Sequence, residues 1–123
     1  MQKTVLLKTV TILVGVLGFA ALAEAHARLE SATPPVGGTV ATAPGQVAIT
    51  FSEAVEPAFS AIEVTDATGK RVDRGKPHNG PGNGSVLIVD LPALPPGTYA
   101  VRWRAVSVDT HKTQGNYRFT VAP

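Results

Sequence analysis

The sequence predicts an all-β domain, a two-sheet Greek-key sandwich or barrel of about seven strands, preceded by a cleavable signal peptide. Three observations carry the prediction. The first 25 residues have the layout of an export leader. Beyond them no stretch shows helical periodicity, while short alternating apolar segments recur between clusters of Gly, Pro, Asn and Asp. The turn signals fall at the close, regular spacing of a β-sandwich.

At the N-terminus, Lys3 and Lys8 flank an uncharged apolar run from Thr9 to Ala23, followed by the small-residue pattern Ala23-Glu24-Ala25. The run is shorter than the about 20 residues a membrane-crossing helix needs, and no second apolar run follows. Cleavage is expected between Ala25 and His26. The chain then divides into a signal peptide, 1–25, and one domain, 26–123. Removing 25 of the 123 residues leaves 98, enough for one core and too few for two.

Strands are expected at 28–32, 46–51, 61–65, 70–73, 85–91, 98–106 and 116–121. In 46–51, Val47, Ile49 and Phe51 share a face; in 61–65, Ile62 and Val64 do so; in 116–121, Tyr117, Phe119 and Val121. The longest, 98–106, alternates Tyr99, Val101, Trp103 and Ala105 against Arg102 and Arg104, as a strand with one buried and one wet face does. Turns are marked by the Pro/Gly clusters at 33–38, 43–45, 66–69 and 94–97. The stretch 75–84, with four glycines and two prolines, is expected to be an exposed mobile loop.

Nine Lys/Arg (11 less Lys3 and Lys8) stand against eight Asp/Glu (9 less Glu24) after cleavage. The densest basic stretch, 70–76, is broken by Asp73 in a Gly/Pro-rich region, so no nucleic-acid footprint is present. With no cysteine in an exported chain, stability rests on packing, and no thiolate is available as ligand or nucleophile. There is no Ser-His-Asp set around a nucleophile and no phosphate-binding glycine loop.

Three histidines and eight carboxylates remain. After cleavage His26 would be the chain terminus, offering its α-amine and ring Nδ1 to one metal in a six-membered chelate, with the entropic advantage of a tethered second donor. In Ser107-Val108-Asp109-Thr110-His111, an extended backbone would aim Asp109 and His111 to one face. Three nitrogens and one oxygen suit tetragonal Cu(II), and the absence of Cys and Met after the leader removes the soft ligands of Cu(I). On spacing alone an alternative stays open: Asp109 simply orients His111 in a turn.

The segment 26–123 resembles the CopC family of periplasmic copper-binding proteins. The resemblance rests on His-Ala-Arg-Leu-Glu-Ser-Ala-Thr-Pro at 26–34, Thr-Phe-Ser-Glu-Ala-Val at 50–55, Val-Thr-Asp-Ala-Thr-Gly at 64–69, the long segment 96–111 ending in Asp-Thr-His, Gly115, and Tyr-Arg-Phe-Thr-Val at 117–121. It implies an immunoglobulin-like or cupredoxin-like Greek-key fold holding Cu(II) through the terminal amine and ring of His26 with Asp109 and His111. Glu53 matches an acidic position that would act as a weak or outer partner, with an exposed strand-end carboxylate as the competing reading. Some members carry a Met-rich Cu(I) loop; here that region holds His78 and no Met, so a single Cu(II) site is expected and His78 is read as a solvated loop residue.

The resulting expectation is a monomeric, non-enzymatic periplasmic copper carrier or sequestering protein for homeostasis or resistance, with a CopD-type inner-membrane protein as the partner the resemblance implies. Three alternatives belong to other classes. A copper histidine-brace oxidative enzyme needs exposed aromatics for a flat substrate surface, and the chain's Trp and Tyr residues pattern inward. A two-His, one-carboxylate iron site is disfavoured by the chelating amine. A metal-free structural sandwich is the third.

Overall fold

The computed structural model describes residues 26–123. The expected leader, 1–25, lies outside the described residues. Eight strands form two four-stranded sheets: β1 (Leu29–Thr33), β2 (Thr39–Val40), β3 (Gln46–Phe51), β4 (Ala61–Thr65), β5 (Arg74–Asn79), β6 (Val86–Asp90), β7 (Gly97–Val106) and β8 (Lys112–Val121). The first sheet has the order β1-β3-β6-β5 and the second β2-β8-β7-β4. All pairings are antiparallel except the short parallel contact of β2 with β8. A 3-10 turn, Pro57–Phe59, leads into β4.

The inner faces are built by the alternation that the sequence displays. Val47, Ile49 and Phe51 of β3 and Leu87 and Val89 of β6 meet Ile62 and Val64 of β4, Tyr99, Val101 and Ala105 of β7, and Tyr117, Phe119 and Val121 of β8. Each fully buried aliphatic side chain contributes about 1.5–3 kcal/mol. Tyr99 stacks on Phe119 with ring centroids 5.5 Å apart, and Phe51 meets Trp103 edge-on at 5.2 Å. Trp103 is half-buried and packs against this core. Its cross-strand partner is Gly115, where a Cβ would stand 2.6 Å from the indole. The glycine is the space in which the indole lies.

The structure corrects three expectations. The stretch 75–84 is not wholly a loop, because Arg74–Asn79 forms β5 and pairs with β6. Its composition conceals this: β5 is an edge strand, and the pairing is irregular between Arg74 and His78, so Pro77 sits where the ladder requires no donor. Conversely, 70–73 makes only an isolated bridge, Thr65 to Arg71, through the Val72 N–H donating to the Val64 carbonyl and the Asp66 N–H donating to the Lys70 carbonyl. There the Asp73 carboxylate accepts from the Val64 N–H at 2.8 Å and replaces the backbone partner that would extend a ladder. β8 also begins four residues earlier than its apolar pattern, and pairs with β7 from Gly97 to Val106.

Candidate metal centre

One end of the sandwich gathers three segments that are distant in sequence. Residues 26–28 lie beside the end of β3, where the Ser52 hydroxyl accepts from the Arg28 N–H at 2.8 Å and donates weakly to the His26 carbonyl at 3.4 Å. The Ser52 N–H in turn donates to the Arg28 carbonyl. Residues 107–111 join β7 to β8. Ser107 bridges to Val55, and the Val108 N–H donates to the Ala54 carbonyl.

The 107–111 connection is a turn rather than extended backbone, with Thr110 in the left-handed region at φ 72°. Turn geometry, and not an extended strand, therefore sets the directions of Asp109 and His111. The Ser107 N–H donates to the His111 carbonyl at 2.9 Å, and the Thr110 N–H to the Ser107 carbonyl at 2.8 Å. The turn is closed from within by the Ser107 side chain, itself fully buried. Its hydroxyl donates to the Asp109 carboxylate and accepts from the His111 N–H at 3.2 Å. That donation holds the Asp109 carboxyl below the usual carboxylate range; partial desolvation opposes it, and the nearby His111 assists.

Of the residues singled out, the fold brings three together as two pairs. The rings of His26 and His111 face each other with centroids 4.5 Å apart and planes 35° apart. His111 Nδ1 lies 3.3 Å from Asp109 Oδ2, and both side chains are about half exposed, at 48% and 49%. As they stand, no three His, Asp or Glu side chains among the described residues form a group that could hold a metal ion. The pairs share His111, and the Asp109 carboxylate is turned toward Ser107. Two imidazoles and a carboxylate kept ionised are donors suited to a borderline divalent ion.

Glu53 is half-buried and follows Ser52 directly. His78 lies elsewhere, exposed on β5 with Nε2 3.4 Å from Asp90 Oδ1, so it is a strand residue and not a loop one. The site residues that spacing did not single out are Ser107 and Ser52. Ser107 had a visible signal: it continues the inward series Tyr99, Val101, Trp103, Ala105 with a polar group that must find partners.

The fold and this end define a small antiparallel sandwich that presents paired imidazoles and a carboxylate at the β7–β8 turn. The chain belongs to the CopC domain family, whose model matches residues 29–122. It is 40% identical over 113 residues to copper resistance protein C of Escherichia coli, covering 86% of this chain and 89% of that one. Among solved structures it is similar to CopC from Methylosinus trichosporium OB3b, with TM-score 0.74 and 38% identity over 80% of this chain and 95% of that one. It is also similar to PcoC, described as a methionine-rich copper resistance protein from Escherichia coli, with TM-score 0.70 and 36% identity over 79% and 99% of the two chains.

Proposed function

We propose that this chain is a non-enzymatic copper-binding protein of the periplasm that holds one Cu(II) through His26, Asp109 and His111 once the leader is removed. The observation that carries the reading is the approach of the His26 and His111 rings, brought together from opposite ends of the domain sequence. While residue 25 precedes it, the His26 nitrogen is a peptide amide. Cleavage converts it into an amine and supplies the chelate's second nitrogen. Asp109, already ionised and aimed by Ser107, supplies an oxygen. The absence of Cys throughout and of Met after residue 1 favours the oxidised ion over Cu(I). Glu53 acts from outside the ligand set, and a CopD-type inner-membrane protein receives the metal, consistent with roles in copper resistance or homeostasis.

The test is calorimetric titration with Cu(II) of three proteins: the domain beginning at His26, the same domain with one residue placed ahead of His26, and H111A. One tight equivalent is expected for the first and a large loss of affinity for the other two. Equal affinity in all three refutes the site. Competition by Zn(II) at matched pH that outruns Cu(II) refutes the assignment of the metal.

A further inference from the structure

The outer face of the second sheet carries positive charge that the fold leaves unused. Arg102 and Arg104 of β7 and Lys112 and Arg118 of β8 are all exposed, and the β7–β8 register puts them on one face. Among the described residues none of the four side chains has a hydrogen-bond or ion-pair partner. They are four of the nine cations of the 26–123 segment. The carboxylate on this face, Glu63, cross-strand from Arg102 and 3.9 Å from Arg71, offsets one of these four charges and leaves the patch positive.

This face is concave in two adjoining places. A hollow of about 280 Å³ is walled by Arg102 and Arg104 with Glu63, Gln114 and Asn116. Beside it, a second hollow of about 450 Å³ is lined by Phe59, Val106, Arg104, Lys112 and Thr110. Arg104 belongs to both, and Thr110 belongs to the turn that carries Asp109 and His111. Phe59 is 66% exposed and gives the second hollow an apolar wall open to solvent.

We infer that this face is the docking surface for an acidic protein segment bearing an apolar side chain, which seats beside Phe59 while its carboxylates reach Arg102 and Arg104. Charge complementarity selects the occupant. Two arginines about 7 Å apart along one strand face, flanked by the amides of Gln114 and Asn116, present N–H donors to carboxylates, and an apolar socket adjoins them. Protruding side chains fill hollows, whereas a flat lipid surface meets a convex patch, so a protein segment fits better than a membrane. The hollow runs up to the β7–β8 turn, so a partner seated there stands next to the metal ligands. The partner's role as giver or receiver of copper rests on the function proposed above; the chemistry of the surface does not.

The experiment uses the ¹⁵N-labelled domain beginning at His26 and a capped peptide, Asp-Glu-Leu-Glu-Asp, with Asn-Gln-Leu-Gln-Asn as its uncharged counterpart. Amide shifts confined to Phe59, Arg102, Arg104, Lys112, Gln114 and Asn116 are expected, with binding that weakens as salt rises. R102Q/R104Q, which changes only outward-facing side chains, should bind the peptide about tenfold more weakly and Cu(II) as tightly as the wild type. Equal binding of the uncharged peptide, or undiminished binding by R102Q/R104Q, overturns the inference. So does sedimentation with phosphatidylglycerol vesicles in the absence of any peptide shift. Should the domain take up no Cu(II) yet bind the peptide as described, the copper reading falls and the docking surface stands. Normal Cu(II) uptake without peptide binding removes the docking surface alone.

Discussion

Replacing Ser107 by alanine isolates the contribution of the turn that aims Asp109 and His111. The side chain is fully buried and its hydroxyl serves two partners, donating to the Asp109 carboxylate and accepting from the His111 N–H at 3.2 Å. Asp109 is half exposed, so water replaces its lost donor at small cost. The His111 N–H, held inside the turn, loses its acceptor. One net hydrogen bond with a partly buried orphan left behind costs about 1–2 kcal/mol. In a domain of this size that lowers Tm by about 5–15 °C.

The effect on copper should exceed what so modest a destabilisation suggests, because groups that orient ligands typically contribute about 10–100-fold in metal affinity. Ser107→Ala is therefore expected to remain folded by circular dichroism and to bind Cu(II) at least about tenfold more weakly in competition with a calibrated chelator. A second readout follows from the carboxylate. The native Asp109 pKa lies below its ordinary value, so its stabilising contribution is complete above the unfolded value, about 4, and is lost as pH falls through the lower folded value. Without the Ser107 donor the ¹³C titration midpoint of Asp109 should rise toward the ordinary range. A folded S107A protein with wild-type copper affinity and an unmoved Asp109 midpoint would refute this account of the turn.

Gly115→Ala sets a Cβ 2.6 Å from the Trp103 indole and should destabilise by about 1–3 kcal/mol, with an altered emission spectrum from this sole tryptophan during urea unfolding. Tyr117→Phe should be neutral or stabilising by up to about 1 kcal/mol, because its hydroxyl is buried without a partner and burial pushes its pKa up to about 12. Chemical denaturation settles the sign. Asp73→Ala removes the acceptor of the Val64 N–H and the bidentate partner of Arg71, and a loss of about 2–3 kcal/mol is expected in the same assay. Ser52→Ala should weaken Cu(II) binding several-fold while shifting Tm little, since its bonds to 26–28 are at the surface; an unchanged affinity measured by chelator competition would show that this anchor is dispensable.

The strands that bury one face were legible because period-two alternation survives wherever a sheet is half wet. Val47/Ile49/Phe51 and Tyr117/Phe119/Val121 display it without ambiguity. β5 was concealed because an irregular edge strand tolerates the Gly and Pro that elsewhere signal a loop. The first half of β8 was concealed because Lys112, Thr113, Gln114 and Gly115 have no apolar alternation; the long ladder to β7 and the space needed by Trp103 determine it instead. At the site, Asp109 and His111 were visible as a local pair, though through the wrong backbone geometry. The meeting of His26 with His111 has no local pattern at all; donor chemistry suggested it and the family resemblance strengthened it.

That meeting depends on a segment containing none of the three ligands proposed. Residues 52–56 act as a splint between the two sheets at this end. On one side Ser52 holds 26–28 through bonds in both directions. On the other, the Ala54 carbonyl accepts from Val108, Val55 bridges to Ser107, and the Glu56 N–H donates to the Val106 carbonyl at 2.8 Å. The same segment is tied to the β5–β6 connection by the Val55 N–H donating to the Gly84 carbonyl. The distance between the two imidazoles is thus fixed by how 52–56 leaves β3. A ligand pair assembled across two sheets is only as well ordered as the backbone that joins them, which makes the splint a determinant of metal affinity apart from the ligands themselves.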